Sequence, residues 1–165
     1  MGAARSSTAL SVGFILIQLV RLGLVELKTR RIKTKMSEFI EVKANARSMS
    51  LRKPVYGVGV NDSDYITDRR LNGKRNFCPY YARWRHMIER CYSEKYQETR
   101  PTYKGCTVCG EWLVFSVFKA WMVKQDWKDK ELDKDILTQG NNVYSPENCL
   151  FVTTAINNLL KRALY

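Results

Sequence analysis

Residues 131–162, ELDKDILTQGNNVYSPENCLFVTTAINNLLKR, constrain the fold more than any other stretch of this chain. They read as strand, loop, strand, helix. Residues 131–137 set acidic side chains around apolar ones and end in Ile136-Leu137. Residues 138–146 are rich in Gly, Asn, Ser and Pro, the residues of turns, and a loop is expected there. Leu150, Phe151 and Val152 form a short apolar run whose side chains favour a strand. Thr153 or Thr154 can then cap a helix carrying Ile156, Leu159 and Leu160 on one side.

Upstream, two helices are expected to support this unit. Pro79 suits the first turn of a helix over residues 79–94. Tyr80, Trp84, Met87, Ile88 and Cys91 recur along it at helical spacing. A second helix over residues 112–125 carries Trp112, Phe115, Phe118, Trp121 and Met122, a stripe that reads as core rather than as a base-stacking platform. Residues 96–110 read as loop, and residues 55–60 as a short strand softened by two glycines. With 165 residues, 45% of them apolar and 27% charged, the chain has the length and composition of one globular domain; the strands and helices expected along it make the fold class α+β.

The ordered set of motifs resembles the ββα-metal (His-Me) finger of the HNH endonucleases, in the divergent form common in phage genomes. The residues that carry the resemblance are Trp84-x-x-Met87-x-x-Arg90-Cys91, Tyr103-x-Gly105, Val108-Cys109-x-Glu111-Trp112-x-x-Phe115, Asp133-Lys134, the run Tyr-Ser-Pro-Glu-Asn-Cys at 144–149, and Asn157. They span residues 79–162, about half the chain. The resemblance implies a finger packed against two helices and a metal-dependent DNA endonuclease, free-standing homing enzymes among them. It implies Asp133 and Asn157 as ligands of one Mg²⁺ or Mn²⁺ ion, Asn148 as the amide that pins the loop, and double-stranded DNA as the partner. Lys161 and Arg162 would lie close to phosphates. No small-molecule cofactor is expected.

Phosphodiester hydrolysis needs a polarised phosphate and a stabilised leaving oxygen, and one divalent ion can supply both. Hard cations take oxygen ligands, often only one or two of them from protein, so an Asp and an Asn amide suffice. Where better-studied relatives carry a His base, this chain has Lys134. A lysine with an ordinary pKa near ~10.4 stays protonated at neutral pH. Asp133 and Asp135 beside it favour the charged form further. Lys134 is therefore expected as a phosphate clamp or transition-state stabiliser. The alternative reading is a catalytically degenerate HNH-fold protein that binds DNA without cutting it. A third reading, a membrane-associated protein using residues 9–27, is the least favoured.

The formal net charge of +12 suggests a polyanionic partner. The charge is uneven: residues 1–53 hold eleven Lys/Arg against three Asp/Glu, and residues 54–165 hold seventeen against thirteen. Residues 1–35 read as an apolar and basic extension foreign to the rest, with Met36 the expected true start. Residues 36–78 read as a basic arm with a short strand, and residues 79–165 as the nuclease-like domain. Lys43, Arg47, Arg52 and Lys53 in the arm are candidates for resting on phosphates. Arg69, Arg70, Lys74 and Arg75, clustered around the turn pair Asn72-Gly73, are the main expected DNA contacts. Asp62, Asp64 and Asp68 read as solvated, and His86, the one histidine, as a partly exposed surface residue. Five cysteines without a secretory pattern argue for a reducing, cytoplasmic setting, that of a bacterial host for a chain of phage origin. Cys106-x-x-Cys109 has the form of a zinc half-site, but no second pair completes it, and structural zinc is not expected.

Overall fold

Two tryptophans sit at the centre of the packing. Trp84 and Trp112 are both buried to within 1% of complete, and the indole N–H of Trp84 donates to the carbonyl oxygen of Trp112 at 2.7 Å. The computed structural model describes residues 39–71 and 73–164, with side chains as far as Leu160. The readings of residues 1–35 and of Met36, the turn residue Asn72, and the side chains of Lys161 and Arg162 lie outside the described residues. The architecture mixes helix and sheet. Its elements in chain order are α1 (Ala46–Ser50), β1 (Asp68–Leu71), β2 (Lys74–Phe77), α2 (Pro79–Tyr92), α3 (Glu94–Thr99), β3 (Thr107–Val108), α4 (Phe115–Met122), β4 (Glu131–Asp133), β5 (Val143–Tyr144), β6 (Leu150–Val152) and α5 (Thr154–Leu164). Among the described residues the strands form three two-stranded sheets: β1–β2 and β4–β6 antiparallel, β3–β5 parallel.

Helix α2 follows its sequence pattern. Pro79 occupies its first turn, and Trp84, Met87, Ile88 and Cys91 are its buried residues. It stops at Tyr92 because Ser93 leaves helical geometry and caps α3 through its hydroxyl. Gln97 in α3 folds back, its Nε2 donating to the carbonyls of Arg90 and Cys91 at 3.1 and 2.7 Å. Those carbonyls belong to the end of α2, where helices leave acceptors without partners. Residues 96–110, expected as loop, thus contain most of α3, a 3₁₀ turn over Pro101–Tyr103, and β3.

The expected helix over residues 112–125 is broken. A 3₁₀ turn covers Gly110–Leu113, Val114 takes extended geometry, and α4 begins at Phe115. The cause is tertiary: Val60 N–H donates to Leu113 O at 2.8 Å, and Phe115 N–H donates to Val60 O at 3.0 Å. The chain near Val60 therefore replaces helical bonds at that point. Residues 55–60 form isolated bridges rather than a strand. Asp62 is exposed, as expected, and also caps α4: its carboxylate accepts from the Ser116 backbone N–H at 2.9 Å and from the Ser116 hydroxyl. A carboxylate there satisfies free N–H groups and the positive end of the helix.

The segment before α2 is built into the core. Tyr65 and Cys78 belong to the main hydrophobic cluster, and Phe39, Val55, Tyr56 and Val58 pack against it. Arg52 grips the backbone instead of pointing outward, its guanidinium donating to the carbonyls of Asn61, Ser63 and Tyr65. Gly59 is buried because Trp84 leaves no room: a Cβ there would lie 2.9 Å from Trp84 Cη2 and 3.0 Å from Cζ2. Gly59→Ala is expected to destabilise the protein by about 1–3 kcal/mol through overpacking. The shift in the urea midpoint checks it.

From Trp112 a chain of rings runs across the molecule. Trp112 lies 4.5 Å from Trp121 between centroids, and Trp121 stacks on Phe151 of β6 at 5.7 Å. The aromatic stripe is core, as its spacing suggests. Among the described residues no helix is long and apolar enough to cross a membrane.

Candidate functional site

Alternation along β4 sorts its side chains. Residues opposite one another in an antiparallel pair share a face. Leu132 faces Phe151, and both enter the main cluster. Glu131 pairs with Val152 and Asp133 with Leu150, on the other face. Val152 forms a second cluster there with Ile136, Ile156 and Leu160, with Leu150 packed alongside. Glu131, Asp133 and the start of α5 therefore share one side of the hairpin. Thr153 caps α5, its hydroxyl oxygen accepting from Ile156 N–H at 3.3 Å. Leu159, expected on the buried side with Ile156 and Leu160, is 45% exposed.

Asp133 ends the strand. Its Oδ1 accepts the backbone N–H groups of Asp135 and Ile136 at 3.0 and 3.1 Å, which turns the chain at once. The strand is therefore three residues long, not the seven expected over 131–137. The residue is 8% exposed. Burial pushes its pKa up to about 6, and the adjoining Asp135 side chain adds to the rise. Asp135 moves the other way: burial opposes its ionisation, but the hydrogen bond from Asp133 and the Lys134 charge outweigh that.

Lys134 points into the loop. Its ammonium donates to Asn141 O at 2.7 Å and pairs with Asp135 Oδ2 at 3.3 Å, and the residue is 7% exposed. The group expected to clamp a phosphate is thus held by the loop's own oxygens. Asn141 bridges the loop, and Asn148, the residue expected to pin it, donates to the Asn141 amide oxygen. Asn141 Nδ2 donates to the carbonyls of Lys134 and Val143 at 2.7 and 2.8 Å, while its Oδ1 accepts from Val143 N–H and from Asn148 Nδ2. The loop closes on itself, so a residue inside it reaches both rims, whereas Asn148 supports Asn141 from behind. Residues 138–146, expected as loop throughout, contribute β5, which pairs with β3.

Asn157 is 5% exposed, the most deeply buried of the predicted site residues whose side chains are described. Its Nδ2 donates to Glu131 Oε2 at 3.1 Å, and its Oδ1 is buried without a hydrogen-bond partner. Glu131 Oε1 accepts from the Thr154 hydroxyl at 2.9 Å. Sequence reasoning passed over Glu131 and Asn141. The first was visible as the acidic residue two positions before Asp133, hence on the same strand face. Nothing distinguished the second among the polar residues of its loop.

The basic cluster of residues 69–75 divides between the faces of the β1–β2 hairpin. Arg70 stands opposite Arg75, and Leu71 opposite Lys74. By alternation Arg70 and Arg75 share one face, Arg69 and Lys74 the other. Arg70, Lys74 and Arg75 belong to the outer part of the hairpin, and Arg75 pairs with Asp68 at 2.9 Å. Arg69 lies half-buried over the Phe39 ring. His86 is exposed on α2.

The five thiols are free, and four of them are buried. Burial raises Cys91 and Cys149 to about 12 and moves Cys106 and Cys109 up as well, so all four are kept as thiols. Among the described residues no three His, Cys, Asp or Glu side chains group to hold a metal ion. Oxygen donors on the α5 side of the hairpin include the Asp133 carboxyl, the Asn157 amide and Glu131, whose two oxygens accept from Thr154 and Asn157. A carboxyl and an amide oxygen are ligands of the kind a hard cation takes while keeping most of its shell as water. No family model, no curated protein and no solved structure matches this chain.

Proposed function

We propose that the chain is a metal-dependent DNA endonuclease of the HNH type, with β4, its loop, β6 and α5 serving as a ββα-metal finger. The observation that carries this reading is the unpartnered Oδ1 of Asn157 on the side of the hairpin that bears Asp133. A buried amide oxygen without a donor costs about 1–3 kcal/mol, and a protein has reason to keep one where a ligand satisfies it. Asp133 and Asn157 would hold one Mg²⁺ or Mn²⁺ ion. When bound, that ion supplies Lewis-acid stabilisation at the scissile phosphate. Lys134 and Asn141 keep the loop closed so that the carboxyl stays in place. Arg70, Lys74 and Arg75, on the β1–β2 hairpin, would rest on the phosphates of double-stranded DNA.

The test is plasmid nicking by the purified full chain in Mg²⁺, in Mn²⁺ and in EDTA. Supercoiled DNA is expected to relax only with metal. Asp133→Ala should abolish the activity while circular dichroism stays unchanged. Equal cleavage by that variant would remove the assignment.

A second reading is favoured by burial. Asp133, Lys134 and Asn157 are each less than 9% exposed, and the Lys134 ammonium is occupied within its loop. A finger of this kind would bind DNA without cutting it. Salt-dependent binding with no cleavage in any metal would select this reading.

A further inference from the structure

We infer that Glu131 is a positioning residue for the metal: it clasps the Asn157 amide so that Oδ1, and not Nδ2, is presented as the ligand. The inference rests on the endonuclease reading above. An Asn amide has two nearly superimposable ends, only one of which can bind a cation. Glu131 accepts through both carboxyl oxygens, from the Thr154 hydroxyl and from Asn157, so the end of Asn157 that touches Glu131 Oε2 is the donor, Nδ2. The oxygen is then the end left without a partner inside the protein. Glu131 is itself fixed. Its other oxygen accepts the Thr154 hydroxyl at the first turn of α5, where a negative charge is favoured by the helix's positive end. Its backbone is paired with Val152 in the β4–β6 ladder. Strand and helix start are therefore joined through two hydrogen bonds to one carboxylate, and Asp133 follows two residues along on the same face. Outer-shell partners of this kind orient ligands in metal sites generally.

The experiment measures Mn²⁺ affinity of the full-length protein by the electron paramagnetic resonance of free Mn²⁺, with urea denaturation in EDTA as the folding control. Glu131→Ala frees the amide to turn over and is expected to weaken Mn²⁺ binding by about 10–100-fold. Glu131→Gln can still accept from Nδ2 through its own carbonyl and should bind nearly as wild type. Asn157→Asp sets two carboxylates against each other and should bind poorly in spite of its added charge. The exchange E131Q/N157D restores a donor facing an acceptor and should recover wild-type affinity or better, a gain that a purely structural hydrogen bond would not give to metal binding. Should Glu131→Ala fail to fold, Asn157→Asp and the exchange decide alone. If wild type binds Mn²⁺ and Glu131→Ala binds it equally, or the exchange recovers nothing, the clasp is wrong and the endonuclease reading stands. If wild type neither binds Mn²⁺ nor nicks DNA, both fall.

Discussion

The substitution Asp133→Asn is expected to stabilise the metal-free protein at neutral pH while removing the proposed cleavage activity. The carboxyl of Asp133 is buried, and its pKa stands near 6 against an ordinary 3.8. The folded state therefore holds the proton more tightly than the unfolded chain. The stability this contributes is fully present below about pH 4 and is lost as pH rises through about 6. At about 1.36 kcal/mol per pKa unit, the deficit at pH 7 is at most about 3 kcal/mol. The amide introduced by Asp133→Asn would carry no such penalty. Its oxygen can keep accepting from the backbone N–H groups of Asp135 and Ile136, and its NH₂ can donate to Asp135 as the protonated carboxyl does. The lowered pKa of Asp135 acts in the opposite sense and in a different window, since stability from that group is lost only as pH falls below its ordinary range. Urea titrations in EDTA from pH 4 to 8 check the expectation. Wild type should weaken between pH 4 and 6, and Asp133→Asn should show no such slope and exceed wild type at pH 7. A variant less stable than wild type at pH 7, with the slope intact, would refute it. A bound divalent ion would favour the ionised carboxyl, so added Mn²⁺ should stabilise wild type more at pH 7.5 than at pH 5. Activity gained at the expense of stability is a common feature of functional sites.

Replacing Trp84 with alanine is expected to cost about 3–5 kcal/mol, enough to leave a domain of ordinary stability close to unfolding. The side chain is fully buried, its ring lies 5.5 Å from Phe115, and its N–H is the donor to Trp112 O. Truncation opens a cavity between α2 and α4 and removes the donor to a buried carbonyl in the same step. Thermal denaturation should show a large drop in Tm. Leu159→Ala on α5 is the contrast, because that leucine is 45% exposed and its loss should stay within about 0.5 kcal/mol. Similar losses from the two substitutions would mean that the aromatic cluster is not what holds the helices together.

What could be read in advance was whatever has a local cause. Pro79 and the spacing from Trp84 to Cys91 predict α2 because a helix buries residues at its own period. Thr153 caps α5 because a hydroxyl there satisfies free backbone donors. The Leu150–Val152 strand is short, apolar and correctly placed. The readings that failed concern bonds between distant parts of the chain. Nothing near Val114 announces that Val60 will interrupt the helix, and a two-residue parallel pairing of Thr107–Val108 with Val143–Tyr144 is too short to leave a period. The site divides in the same way. Asp133 and Asn157 were named from an ordered motif, and the fold puts both on the α5 side of the hairpin. The roles given to Lys134 and Asn148 depend on where the intervening loop closes. The loop closes over Asn141, which bridges it and draws the Lys134 ammonium inward.

The stacking of Trp121 on Phe151 bears on whether the last fifth of the chain is portable. Leu132 and Phe151 present an oily surface on the side of the hairpin away from α5, and that surface belongs to a cluster built largely by residues of α2, α4 and the turn before it. Cut out at Glu131, the segment would leave this surface bare to water. It would gather into aggregates rather than work as a transplantable cassette, and any chimera that borrows it must bring the tryptophan lid along.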